Sequence, residues 1–257
     1  MTLYQQILTQ NDCYRTGRTI TPKGVMIHST GANNPSLSRY VPGDEKIGYN
    51  TGGNHWDMSG VGACVHAFVG KLADGRVGVV QTLPWTMRGW HCGKGSQGSA
   101  NNTHISFEIC EDGLENKEYF QEVYQTAVEL TAYLCRKYRL DPKADGVVIC
   151  HSEGHTRGLA SNHADVMHWF PRFDKSMDTF RADVAREMEG ENDMTQEQFD
   201  AMLDNYLARK GNEKATQEWE KTTIAKAQAA GFSDGQRPRG IPTRVEVMAM
   251  VAAATGK

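Results

Sequence analysis

Val147-Val148-Ile149-Cys150-His151-Ser152-Glu153-Gly154-His155 is followed after a short break by Ser161-Asn162-His163-Ala164-Asp165-Val166-Met167-His168-Trp169-Phe170. An apolar run of β type ends in a histidine, and His163, Asp165 and His168 return within a few positions. Four histidines and a carboxylate packed this densely after a strand point to a metal site. The expected geometry is a buried strand that delivers His151 at its exit, with a loop carrying the carboxylate back toward it. A zinc-protease helix is the competing local pattern, but that motif is H-E-x-x-H with both histidines on one helical face. Here the glutamate is displaced and the segment is read as leaving its strand through Gly154, which makes His155 a loop residue.

Working outward, Lys23 to Gly31 reads as a second short buried strand, with His28 at its exit. Ala32 to Gly62 is a long loop rich in Gly, Asn, Pro and Ser, and long ordered loops tend to carry function. Ala63–Gly70 and Arg76–Gln81 make a strand pair around the turn signal Asp74-Gly75. In His104–Cys110 the alternation puts Ile105, Phe107 and Ile109 on one face and Ser106, Glu108 and Cys110 on the other. Glu108 is thus a carboxylate on a mostly buried strand. A helix is predicted over 116–139 from the spacing of Phe120, Val123, Tyr124, Ala127, Leu130, Leu134 and Tyr138. Asp141-Pro142 stops it, and Ser176 caps a last helix using Met177, Phe180, Val184 and Met188. Strands interleaved with helices imply an α/β fold, a mixed central β-sheet flanked by helices.

Residues 187–193 are polar and read as a linker, dividing the chain into 1–189 and 190–257. Thr195 and Gln198 make a capping box for a helix expected to bury Phe199, Met202, Leu203, Tyr206 and Leu207. A second helix carries Trp219, Ile224 and Ala227, and Thr243 with Glu246 caps a third. This is a small all-α C-terminal module, of a size that calls for packing or self-association, such as a homodimer, to hold it.

Composition bounds the function. With 39% hydrophobic and 23% charged residues the chain is ordinary for a globular protein, and a net charge of −3 provides no basic field for nucleic acid. No apolar run is long enough to insert in a membrane. Met1–Gln6 lacks the basic and apolar regions of a signal peptide, so synthesis in a bacterial host cytoplasm is expected, with another route to any site of action outside. The six cysteines show no C-x-x-C spacing, and Cys64, Cys110 and Cys150 read as small buried hydrophobes. All 9 histidines and 6 cysteines lie between residues 13 and 168, which puts the reactive chemistry in the first part of the chain.

Catalytic zinc takes three protein ligands and keeps one position for water. His28 and His151, each ending a buried strand, can meet if the strands are neighbours, and Asp165 is the expected third ligand, with His163 and His168 as alternatives. Such a centre acidifies bound water. Glu108 is placed to take the proton and His163 to stabilise an oxyanion, the chemistry of a hydrolase for a carbonyl bond. A glycosidase built on Glu108 with Glu111 or Asp112 makes no use of the histidines.

Four separated motifs, GVMIHSTG (24–31), VHAFVG with DGRVGVVQTLPWTMRGWHCG (65–70, 74–93), NNTHISFEIC (101–110) and VICHSEGH with SNHADVMHWF (148–155, 161–170), together resemble the N-acetylmuramoyl-L-alanine amidases of the type-2 amidase and peptidoglycan-recognition-protein family. Phage and prophage endolysins with a trailing wall-directed module are similar in layout. The resemblance implies Zn2+ held by His28, His151 and Asp165, catalysis by Glu108, and hydrolysis of the amide between N-acetylmuramic acid and L-alanine in peptidoglycan at the cell wall. His163 stands where many members carry a lysine, and the Pro-Gly that usually follows the third ligand is absent. His66 falls near a position that often faces the metal; a strand histidine satisfied by backbone is the other reading. Trp90-His91-Cys92-Gly93 matches a turn that implies a wall of the substrate groove. Asn101 and Asn102 bind peptide or make a turn, and Trp85 and Trp56 offer stacking faces for sugars or, as is more usual for tryptophan, are structural. Residues 229–246 resemble a single S-layer homology repeat. Two rival functions stand beside the amidase: a peptidoglycan-recognition module that binds without cutting, and a zinc peptidase acting on the stem peptide.

Overall fold

The computed structural model describes residues 1–190, 196–211, 217–231 and positions 236, 247, 248 and 251. The chain divides into two compact units, Met1–Glu191 and Asn192–Lys257.

The first unit is built on a mixed six-stranded sheet. Its strands are β1 (Leu3–Gln5), β2 (Gly24–Asn33), β3 (Ala67–Lys71), β4 (Val77–Gln81), β5 (His104–Glu111) and β6 (Val148–Cys150), in the spatial order β1-β4-β3-β5-β2-β6. Only β3 and β4 pair antiparallel; the other neighbours are parallel. The alternation of β5 sorts the two faces as expected. Ile105, Phe107 and Ile109, with Val25, Ile27, Val148 and Cys150, join one core with α2 (Lys117–Tyr138) and α4 (Met177–Gly190). Asn116 caps α2 by accepting from the Tyr119 N–H at 3.0 Å, and Ser176 Oγ accepts from the Thr179 N–H at 3.1 Å ahead of α4.

Met26, His28, Ser106 and Glu108 point to the other face, where Met26 packs with Cys92, Ala100, Ile149 and Ala160. The long insertion after β2 is ordered there because it has apolar anchors: Leu37, Tyr40, Val41 and Ile47 pack with Phe68, Val80 and Cys110 in a second buried cluster.

Three expectations are corrected in this unit. Cys64 is not a free buried hydrophobe; it forms a disulfide with Cys13 of α1 (Asp12–Thr16), Cα atoms 6.4 Å apart, whereas Cys110 and Cys150 are buried and free. Trp85 is 8% exposed within the main core, and Trp56 packs edge-on to Tyr40 and Phe68, so neither offers a free face to a sugar. His155 belongs to a short helix, α3 (His151–Thr156), which begins at His151 itself. Gly154, read as the exit from the strand, lies inside this helix, where a Cβ would come 2.6 Å from Cε at the flexible end of Met26 and 3.2 Å from Ala160 Cβ.

In the second unit α5 spans Gln196–Gly211 and α6 spans Glu218–Ala229, with Glu220 Oε2 accepting from the Gln217 N–H at 2.9 Å. Leu203 and Tyr206, expected to be buried, are 40% and 47% exposed, and Trp219 is 68% exposed. Among the described residues of this unit there is no strand, and a unit this small has little interior in which to bury such side chains. The Thr195–Gln198 box, the cap at Thr243 and Glu246, and most of the 229–246 segment lie outside the described residues. Among the described residues no helix is long and apolar enough to cross a membrane.

Candidate metal centre

Register places the first two candidate ligands. On one side of β2, Ile27 pairs with Cys150, so His28 and His151 follow side by side; on the other, His28 is directly opposite Glu108. The junction that delivers His151 is locked by Glu153, which accepts from the Cys150 N–H at 3.2 Å and pairs with Arg181 of α4 at 3.0 Å. Arg181 also donates to the Val148 carbonyl at 3.0 Å. Asp165 opens a tight turn whose Val166, Trp169 and Phe170 are buried in the main core. Its φ of +43° is a conformation that aspartate tolerates better than most side chains. Those anchors, rather than a Pro-Gly, bring the carboxylate back to the histidines.

His28, His151 and Asp165 converge. Asp165 Oδ2 lies 2.7 Å from His151 Nδ1 and 3.3 Å from His28 Nδ1, and the two Nδ1 atoms are 3.2 Å apart. Tetrahedral zinc with bonds of about 2.0–2.1 Å holds neighbouring ligand atoms about 3.3 Å apart, so two of these three edges already have the dimension of a zinc site. The outward nitrogens agree. His151 Nε2 lies 3.2 Å from Ser161 Oγ, whose hydroxyl donates onward to the Cys92 carbonyl at 3.2 Å. With a cation in the centre, that arrangement keeps the His151 proton on Nε2 and leaves the Nδ1 lone pair for the ion. Two imidazole nitrogens and a carboxylate oxygen aimed at one point fit a divalent cation. Burial holds the His28 imidazole below its ordinary pKa, against the opposing pull of Asp165. For Asp165 burial raises the pKa, but hydrogen bonds from His151 and His28 outweigh it and hold the carboxyl well below the usual range.

The centre opens into a cavity of about 520 Å3 whose lining includes Glu108, Trp90, His91, His163 and His168. Glu108 Oε2 is buried without a hydrogen-bond partner. Burial, then the nearby Asp165 and Glu111 carboxylates, push its pKa well above the usual value. His163 is exposed at the rim, its ring 4.8 Å from that of His151. Trp90 is 54% exposed along the wall. His168 is drawn aside by Glu111, at 2.9 Å.

Other candidates lie elsewhere. His66 is fully buried and closed on itself: Nδ1 accepts from the Ser106 N–H at 3.0 Å and Nε2 donates to the Met87 carbonyl at 2.7 Å, leaving no donor for an oxyanion. Asn102 accepts from Arg88 at 2.7 Å and does not line the cavity, while buried Asn101 makes the turn. Its Oδ1 accepts from the N–H groups of His91 and Cys92 at 2.9 and 3.1 Å. His155 bonds the Ala160 carbonyl at 3.3 Å, so the i, i+4 histidines of α3 do not share a metal. Asn101 follows the turn reading of its motif, whereas the bond of Ser161 to His151 and the pairing of Glu111 with His168 carried no signal in motif or spacing. A larger cleft of about 800 Å3 lies between α2 and α4, but its Asp183 is already satisfied by Tyr124, Lys175 and Arg186.

Comparison with known proteins bears on this geometry. The fold is shared with the Staphylococcus aureus hydrolase AmiA in complex with its ligand, at TM-score 0.53 and 19% identity over 73% of this chain and 83% of that one. It is shared with a mutant of PlyL (TM-score 0.51, 18% identity, 72% and 99% covered) and with the PlyG catalytic domain (0.50, 20%, 73% and 96%). No curated protein sequence matches the chain. The family described as N-acetylmuramoyl-L-alanine amidase matches residues 18–171, a span that runs from ahead of β2 through the Asp165 turn and holds every side chain of the centre. The chain belongs to the N-acetylmuramoyl-L-alanine amidase family.

Proposed function

We propose that this chain is a zinc-dependent amidase that cuts the bond between N-acetylmuramic acid and the first L-alanine of the peptidoglycan stem peptide, acting at the cell wall as a lysin. The observation that carries this is the meeting of His28, His151 and Asp165 at the floor of an open cavity, with the unpartnered carboxylate of Glu108 beside them. His28 and His151 would hold the ion through Nδ1 and Asp165 through Oδ2. Bound there, zinc supplies Lewis acidity that polarises a carbonyl and acidifies water.

The chain's own groups account for the rest. Glu108, half-buried and opposite His28 across the β2–β5 pair, accepts a proton from the attacking water and returns it to the leaving amine. A raised pKa suits a carboxyl that must do both near neutral pH. His163 at the rim donates a hydrogen bond to the developing oxyanion, and the exposed face of Trp90 forms a wall for the substrate. A recognition module that only binds has no need of an intact ligand set, and the stem-peptide peptidase remains as an outcome of the test. The 192–257 unit, with its S-layer-like segment, is assigned wall association or self-association.

Product analysis on purified peptidoglycan tests the assignment. The amidase releases stem peptides with new L-alanine amino termini and no new reducing ends. Reducing sugar, shortened peptides or no product would each refute it, in favour of a glycosidase, a peptidase or a binder.

A further inference from the structure

His28 is held by a partner as His151 is, and that partner is another histidine. His28 Nε2 lies 2.9 Å from His91 Nδ1, with the rings edge to face and centroids 5.1 Å apart. With the ion bound, the free electron pair of His28 Nδ1 is needed at the centre, so its proton sits on Nε2. His91 Nδ1 is then the acceptor. We propose that His91 is a positioning residue for the metal: it fixes the tautomer and ring angle of His28, as Ser161 does for His151, in addition to any contact with substrate. This rests on the zinc assignment above.

The backbone around His91 is built for such a role. Asn101 Oδ1 accepts from the His91 N–H at 2.9 Å, and Asn101 Nδ2 donates to the Gly93 carbonyl at 3.2 Å. On the other side Trp90 and Cys64 exchange backbone hydrogen bonds at 3.0 and 3.1 Å, and Cys64 is tied to α1 by the disulfide. Gly89 lets the turn approach closely: a Cβ there would sit 3.2 Å from both His66 Cε1 and His91 Cδ2. A ring wanted only as a groove wall would not need its Nδ1 directed at a ligand. His91 Nε2 is buried with no partner, which leaves the bond to His28 as the ring's polar contact. Outer partners of metal-bound imidazoles set ring orientation and ligand basicity, and removing one typically weakens metal binding 10–100-fold.

The test is zinc(II) affinity of the full-length chain, measured by competition with a chromogenic chelator, for the unchanged protein, His91→Leu and His91→Asn. Asparagine can place Oδ1 near the position of the histidine Nδ1 and so keep the acceptor; leucine cannot. The expected result is zinc affinity about 10–100-fold weaker in His91→Leu and largely restored in His91→Asn. In the metal-free state both variants should melt within a few degrees of the unchanged chain. Equal zinc affinity in all three proteins, or equal loss in both variants, would overturn the proposal while leaving the zinc assignment in place. No zinc binding by the unchanged chain would remove both.

Discussion

Acidification should destabilise the metal-free protein through His66, and replacing that one residue should blunt the effect. The ring has no solvent exposure, its Nδ1 is occupied by the Ser106 N–H, and its Nε2 proton is donated to Met87. A second proton would have to enter a dry site and face another donor, and burial accordingly lowers the pKa from 6.5 to about 4. The unfolded chain takes up that proton below pH 6.5 and the folded chain only below about 4, so between them the unfolded state binds more protons. Stability from this group is therefore complete above pH 6.5, falls as the pH drops toward 4, and levels off below. The gap between 6.5 and about 4, at about 1.36 kcal/mol per pH unit, amounts to about 3 kcal/mol. Urea denaturation with a chelator present, at steps from pH 7 to 4, measures it for the unchanged chain and for His66→Gln. Losses from His28, His91 and His104, whose pKa values are also lowered, occur in both proteins and cancel in the difference. The unchanged chain should lose about 3 kcal/mol more than the variant over that range. Parallel curves would refute the assignment of His66 as a buried neutral strut.

Glu108→Gln should retain zinc, measured by elemental analysis, and lose roughly 10²–10⁴-fold in turnover on peptidoglycan; loss of the metal would contradict its role as proton carrier. His151→Ala should abolish the stabilisation that zinc gives the unchanged protein, about 2.7 kcal/mol at a hundredfold excess over the dissociation constant and read as a rise in melting temperature. An undiminished rise would take His151 out of the ligand set. Replacing both Cys13 and Cys64 by serine removes a cross-link spanning 51 residues, for which loop-closure entropy gives about 4 kcal/mol. Denaturant titration without reductant should show that loss, and an unchanged midpoint would mean the bond constrains nothing in the unfolded chain.

Much of the molecule is legible in the amino-acid order because it is local. The alternation in 104–110 sorts Glu108 from Phe107 correctly, the 3.6-residue spacing from Phe120 to Tyr138 marks α2, and Ser176 stands where a cap is needed. These patterns report on the geometry of neighbouring residues, and the motifs at His28, Glu108, His151 and Asp165 added a family to them. Local pattern misled where packing overruled it: Gly154 lies inside a helix packed against Met26 and Ala160, and Leu203, Tyr206 and Trp219 stay exposed despite their spacing.

Tertiary structure alone decided who meets whom at the centre. His28 lies 63 residues from His91 and 137 from Asp165, and no spacing rule spans such separations. Strand register set His28 beside His151, buried anchors turned Asp165 inward, and a buried asparagine aimed the His91 turn at His28 while Asn102 next to it points elsewhere. The amino-acid order names the groups able to bind a cation. The path of the loops around one sheet edge determines which of their nitrogen and oxygen atoms face the same point.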